Sequence, residues 1–395
     1  MITRVSKILF ILILVELCLG GGGRFTAIGP ISLRMILFSV ALLVSIPLAI
    51  KKTLPSEVWK LMIGFVIMIA IGVVIGMVSH NPKNLIFEDV KPLCYFLIFP
   101  FFCLAIDEAM IRKAIKIVKT SSIIMATIFI ALLILINSGI IPFPDFYNAT
   151  FKSEELFFRG EITFFYKGFL FFGVGTIFYY FIDYSKWKKY FIIILITTIV
   201  LSVTRGLLFS LAVTFSIYFL VSRQYSVAVY GLVLAMIIVV WGSNFILSTS
   251  RLFDSQNNHI SYSQADPTLL GDRNYSDNGR TVQANEVWKE LSFTSSLWGH
   301  GFGAGTSSRP IHMEISYLEI FHKQGLVGLA FWASLAGVIL VRYRKVFISP
   351  VANAFFYSSL FIFIESLTNQ YINNPIGMSV LLLSLCCLYK LNAQQ

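Results

Sequence analysis

The sequence predicts an all-α, polytopic integral membrane protein with about twelve transmembrane helices and one long loop on the non-cytoplasmic face. Three observations carry this. Of 395 residues, 57% are hydrophobic and 13% charged, against roughly 25% charged in a soluble domain. Apolar runs of about the 20 residues needed to cross lipid recur along the chain. Basic residues gather in short clusters between those runs, as membrane topology requires. The same clustering accounts for the net charge of +11 without a nucleic-acid partner.

In chain order the apolar runs place spans near residues 7–23, 31–50, 60–79, 92–107, 118–137, 163–183, 188–203, 206–222, 226–246, 315–341, 352–369 and 374–391. Residues 1–23 have the basic start and apolar centre of a signal peptide. Glu16 interrupts that centre and no clear cleavage site follows, so a retained first span is expected. The whole chain, 1–395, is expected to form a single bundle. The five cysteines lie in or beside apolar runs without metal-ligand spacing and read as buried, inert thiols.

Lys and Arg set the orientation. With the N-terminus in the cytoplasm, the inside segments hold Arg4, Lys7, Lys51, Lys52, Lys60, Arg112, Lys113, Lys116, Lys119, Lys186, Lys188, Lys189, Arg223, Arg342, Arg344, Lys345 and Lys390, 17 of the 31 basic residues in short stretches. On the outside, residues 138–162 form a polar and aromatic loop. Residues 247–314 form the long polar loop, rich in Ser, Asn, Asp and Gly. Loops of this length are usually functional or disordered. Within it, QANEVWKELSFTS has helical spacing, with Val287, Trp288 and Leu291 on one face. A short helix at the membrane surface is expected there.

Four features point to chemistry on the outer side. Arginine collects there: Arg24, Arg34, Arg159, Arg205, Arg251, Arg273, Arg280 and Arg309. A guanidinium offers a permanently charged fork of donors that matches phosphate oxygens; solvated loop charge and headgroup contact are the plainer readings. Arg205, in SVTRGLLFS, sits at the edge of two apolar runs, where a charge is costly and usually functional; Gly206 beside it would permit a helix break, and snorkelling to headgroups is the alternative. Arg280 follows the turn signal Asn278-Gly279 and precedes the expected helix. Glycine recurs at 299, 301, 303 and 305 in WGHGFGAGTSSRP, which suggests a flexible backbone able to approach a ligand closely. No strand-and-helix context makes it a dinucleotide fingerprint. Last, HMEISYLEIFHKQG leads into a span. Glu314 would sit in a first helical turn, where the dipole favours a carboxylate, or would act as a general base on a sugar hydroxyl, with His312 the competing base. His259, His300 and His322 have no spacing that suggests a metal site.

These features occur in order: Thr204-Arg205-Gly206, a long outer loop, Gly279-Arg280 before a Trp-containing helix, Gly301-Phe302-Gly303, then Glu314 before Tyr317-Leu318 and Gly325-Leu326-Val327-Gly328. The chain thereby resembles the O-antigen polymerase and O-antigen ligase superfamily of bacterial inner-membrane glycosyltransferases, best over residues 200–330. The resemblance implies a GT-C-like bundle whose active site faces the periplasm. Donor and acceptor would be undecaprenyl-diphosphate-linked glycans. Arg205 and Arg280 would grip the diphosphate, and Glu314 or His312 would act as base. Arg159, Gly301, Gly303, Arg309 and Tyr317 would contact substrate. No cofactor or metal is expected, and the sequence has no Asp-x-Asp motif. The lipid bilayer is the obligatory surrounding, and a chain-length regulator protein is a candidate partner. Ligases of the superfamily carry His-Asn-x-Tyr-Leu where this chain has Glu314-Ile315-Ser316-Tyr317-Leu318, which favours polymerase over ligase. A flippase of lipid-linked sugars is the alternative of another class. It would need charged residues lining a cavity within the spans, for which only Glu16, Arg34 and Glu365 stand out.

Overall fold

Residues 2–29, 31–51, 53–150, 155–159, 163–237 and 273–393 are described, in a computed structural model. Among them the chain is helical nearly throughout. Helices α1 (Ile2–Leu19), α2 (Leu33–Lys51), α3 (Ser56–Val78), α4 (Lys83–Leu93), α5 (Phe99–Ala105), α6 (Glu108–Asn137), α7 (Phe143–Thr150), α8 (Leu170–Ile182), α9 (Lys188–Leu201), α10 (Arg205–Val221) and α11 (Tyr225–Ile237) lead to the long loop. Helices α12 (Arg273–Glu290) and α13 (Phe293–Trp298) lie within the stretch 247–314 read as that loop, and α14 (Ser316–Arg344), α15 (Pro350–Glu365) and α16 (Pro375–Asn392) follow it. Two small antiparallel hairpins, β1–β2 (Ala27–Ile28, Ile31–Ser32) and β3–β4 (Leu156–Arg159, Thr163–Tyr166), lie between helices. Expectations for residues 238–272, including the end of the 226–246 span and Arg251, lie outside the described residues.

Among the described residues five helices, α2, α3, α6, α14 and α16, are long and apolar enough to cross a bilayer. Their outer surfaces are what lipid requires. On α3, Ile63, Val66, Ile67 and Val74 are exposed, while Leu61, Phe65, Met68, Gly72 and Gly76 face inward. α16 is the central post. It is buried along almost its whole length and packs against α15, α14, α5 and α1. Aromatic stacking joins the layers: Phe65 of α3 stacks on Phe96 at 4.4 Å, and Phe96 meets Phe331 of α14 edge-on.

The structure departs from the expected spans in three places. The run at 92–107 is not one helix, because Pro92 ends α4 and a 3-10 turn over Cys94–Ile98 redirects the chain into α5. The run at 163–183 begins as strand β4, leaving α8 only 13 residues, a rise of roughly 20 Å where the hydrocarbon core needs about 30 Å. Between α9 and α10 the break falls at Ser202–Thr204, with Val203 at φ 56, rather than at Gly206. Gly206 lies inside α10, and its role is close approach: a Cβ there would come within 2.6 Å of Thr368 Oγ1.

Along α14 the two ends of the bundle differ in character. Its last turn carries Arg342 and Arg344, and Arg342 pairs with Glu57 at the start of α3. Lys7–Asp107 and Lys119–Asp183 ion pairs also occur among the basic clusters. Its first turns, roughly 40 Å away, carry a different charge cluster. There α14 is kinked at Gly325 (φ 62). A side chain at Gly325 would collide with the Leu297 carbonyl, 2.4 Å from a built Cβ, so the glycine lets the end of α13 dock into the kink.

Candidate active site at one end of the bundle

The sequence places Glu314 just before α14, and the fold brings two arginines to it. Arg280 donates from Nε to Glu314 Oε2 at 2.9 Å, and Arg309 donates to Glu314 Oε1 at 2.7 Å. Arg280 is not at a turn as Asn278-Gly279 suggests; α12 runs through both residues from Arg273. Tertiary packing overrides the turn signal, because Arg280, Gln283 and Val287 share one helix face. Gln283 and Val287 are buried, and the Gln283 side chain accepts the Glu314 backbone N–H at 3.1 Å. Trp288, expected on that face, instead points outward and lies 6.4 Å from the Phe321 ring. Arg309 is set by a tight turn in which the Thr306 and Arg309 backbones exchange hydrogen bonds.

Arg205 opens α10. Its neighbour Gly206 lies against Glu365 and Asn369. The buried Glu365 carboxylate accepts from Ser210 and Asn369 and also feels the positive charge of Arg280. The Asn369 carbonyl in turn accepts from Ser316, two residues from Glu314. Arg205, at the start of α10, therefore stands at the same end of the bundle as Arg280 and Glu314.

Beside this arginine clasp lies a second, buried cluster that the sequence did not reveal. Lys323 Nζ donates to Asp89 Oδ1 at 2.6 Å, to Glu319 Oε1 at 2.8 Å and to the Ile311 carbonyl at 2.6 Å. Glu319 Oε2 accepts from Gln370 and Asn373, each at 2.7 Å. Burial pushes the Asp89 carboxyl above its ordinary range, while Lys323 and the Gly303 N–H pull it down. His312 Nδ1 lies 3.2 Å from Glu319 Oε1 and 3.6 Å from Asp89 Oδ1. His312, Glu319, Lys323 and Gln370 line a polar cavity of about 170 Å³, with Arg24 and Lys167 on its wall. Glu319 and Lys323 could have been found as an i,i+4 acid–base pair on a helix that enters a span. Asp89, Gln370 and Asn373 carry no such local signal.

Three expected substrate contacts are placed differently. Gly301 and Gly303 are locked rather than flexible. The Gly301 N–H bonds to the Lys323 carbonyl and the Gly303 N–H to Asp89. A Cβ on Gly301 would sit 2.2 Å from Gly76 N. The run is a wedge seated on α3, with Asn81 clasping the His300 and Phe302 carbonyls. Tyr317 donates to the Phe363 carbonyl at 2.9 Å, tying α14 to α15. Arg159 ends β3 opposite Thr163, and its side chain lies outside the described residues. Of the charges that would line a transport path, Glu16 and Arg34 pair with each other at 2.8 and 3.0 Å at the end of α1, with Arg34 also on the Gly21 carbonyl; Glu365 is held by Ser210 and Asn369.

Fold and site together define a multi-pass membrane protein with an arginine-rich, partly open charge cluster at the end opposite its lysine clusters. The chain is 28% identical over 391 residues to the O-antigen polymerase of Shigella flexneri, covering 96% of this chain and 93% of that protein. The similarity to that polymerase thus reaches well beyond residues 200–330, over almost the whole chain. No family model matches the chain.

Proposed function

We propose that this chain is an O-antigen polymerase, which joins undecaprenyl-diphosphate-linked repeat units into surface polysaccharide on the periplasmic face of the inner membrane. The near full-length relationship to a polymerase supports this reading over a ligase or a flippase. The pairing of Glu16 with Arg34 also counts against a charged transport path. The basic clusters support an orientation with about twelve spans and the Glu314 end outside. A chain-length regulator would act from that side.

The observation that carries the mechanism is the convergence of Arg280 and Arg309 on Glu314, beside a polar cavity lined by His312. A carboxylate clasped by two guanidinium groups occupies the position a phosphate oxygen pair would take. In this reading Glu314 holds the arginines in register until the donor diphosphate displaces it. Arg205 completes the anion site. His312 is the better base: carboxylates orient its Nδ1, as a histidine base requires, and its side chain is 44% exposed. His312 takes the proton of the acceptor hydroxyl, whose oxygen attacks the anomeric carbon of the donor sugar. The bond from that carbon to the diphosphate oxygen breaks, and the arginines stabilise the departing lipid diphosphate.

The test is complementation of a strain lacking this protein with Arg205→Ala and Arg280→Ala, read by electrophoresis of its lipopolysaccharide. The long-chain ladder should collapse to core bearing a single repeat unit. Core with no repeat unit attached would favour a ligase. A normal ladder with both variants would remove the arginines from the mechanism.

A further inference from the structure

A third group of side chains gathers around His300 of the glycine wedge. We propose that Glu290, His300 and His322 bind one divalent transition-metal cation of the zinc type, which clamps the Arg280 helix to the start of α14. Three segments distant in sequence supply the donors: the last residue of α12, the wedge and the first turns of α14. The wedge is fixed on α14 by two backbone bonds, His300 N–H to the His322 carbonyl at 2.8 Å and Gly301 N–H to the Lys323 carbonyl at 3.0 Å. The two imidazoles are consequently held side by side, 4.7 Å between ring centres and 34° between planes. Glu290 Oε2 reaches His322 Nε2 at 2.9 Å, and one donor atom from each of the three residues lies within 4.8 Å of the others.

The polar bookkeeping of this group is incomplete without a ligand. His322 is buried, with its side chain 1% exposed, yet its Nδ1 has no hydrogen-bond partner, and neither does the buried Nε2 of His300. Buried polar atoms are rarely left so. Glu290 ends α12, where the helix dipole opposes a carboxylate. A cation shared by Glu290, one His322 nitrogen and His300 Nε2 gives the orphaned His300 atom a partner and neutralises the carboxylate at the helix end. Two imidazoles and one carboxylate form a donor set characteristic of zinc. Tetrahedral bonds of about 2.1 Å separate donors by roughly 3.4 Å, so closure draws together donors that already lie within 4.8 Å of one another. The side chain of Glu290 is 40% exposed, which leaves a route for the ion and a fourth position for water. The neighbouring trio Asp89, His312 and Glu319 is as close together, but there the Lys323 ammonium already fills the cationic position.

Full-length protein in detergent, stripped with a chelator, would be titrated with zinc. Calorimetry, metal content and thermal unfolding would be read for wild type, Glu290→Gln, His300→Gln and, as a control, His80→Gln, an exposed histidine elsewhere. Wild type and the control should take up one zinc per chain and unfold at a higher temperature with it. Loss of an outer partner of a metal ligand costs about 10–100-fold in affinity, so loss of a ligand should weaken binding at least about tenfold. The zinc-dependent rise in unfolding temperature should disappear in both ligand variants. Glu290→Gln alters a half-exposed side chain, so it carries the test if His300→Gln elutes as aggregate. Wild type that takes up no zinc beyond Glu290→Gln would overturn the proposal, as would Glu290→Gln that elutes normally and binds as tightly.

Discussion

Glu314 and Glu319 are five residues apart, carry the same side chain and stand at the same end of the bundle, yet their surroundings differ in kind. Glu314 is 21% exposed, lies outside the helix and is held by two arginines that are themselves partly open. Glu319 is 6% exposed, lies one turn inside α14 and is held by a lysine that is 2% exposed, with two amide side chains on its other oxygen. A buried, fully bonded ion pair is costly to disturb but is not available to a substrate. An open arginine–carboxylate pair contributes little to stability and can exchange its anion. The difference separates a cluster that builds the site from one that works in it.

Four substitutions probe that separation, from the largest expected effect downward. Lys323→Met leaves Asp89 and Glu319 buried without their cation and should cost about 3–5 kcal/mol of stability. Thermal unfolding of detergent-purified protein would show it as a large drop in midpoint. Unchanged stability would mean that the buried cluster is not structural. Arg280→Ala should do the opposite, leaving the unfolding midpoint near wild type while repeat-unit joining falls about a hundredfold, the equivalent of about 3 kcal/mol in transition-state stabilisation. Gly301→Ala forces a Cβ to 2.2 Å from Gly76 N at φ 80 and should destabilise by about 1–3 kcal/mol, lowering the yield of folded protein. Tyr317→Phe removes the bond to Phe363 and should cost about 1 kcal/mol with the polysaccharide ladder unaltered. A lost ladder there would return Tyr317 to the substrate surface.

The membrane class and most helices were legible because hydropathy and basic clusters are one-dimensional signals. Helices α2, α3, α14 and α16 follow their apolar runs closely, while α6 starts at Glu108, ahead of the run at 118–137. The breaks were less legible. Pro92 lay inside an apolar run that hid it, and Val203, a β-branched residue at φ 56, announces no turn. Within the site, Arg205, Arg280, Arg309, Glu314 and His312 could be singled out by residue type and order. Their partners could not, since Asp89 is 234 residues from Lys323 and Gln370 lies 51 residues from Glu319. The glycines illustrate the remaining gap. Their spacing marks an unusual backbone but does not say whether that backbone faces a ligand or a helix, and only the groove at Gly72 and Gly76 decides it.

The division of labour between His312 and Glu314 is open to a direct measurement: the rate of repeat-unit joining in membranes carrying His312→Gln or Glu314→Gln, each at wild-type protein level. With His312 as base the first should lose about 10²–10⁴-fold, and the second, which frees the arginines for phosphate, should stay within about tenfold of wild type. Glu314→Gln abolishing the reaction while His312→Gln sustains it would contradict the assignment and make the arginine-held carboxylate the reactive group.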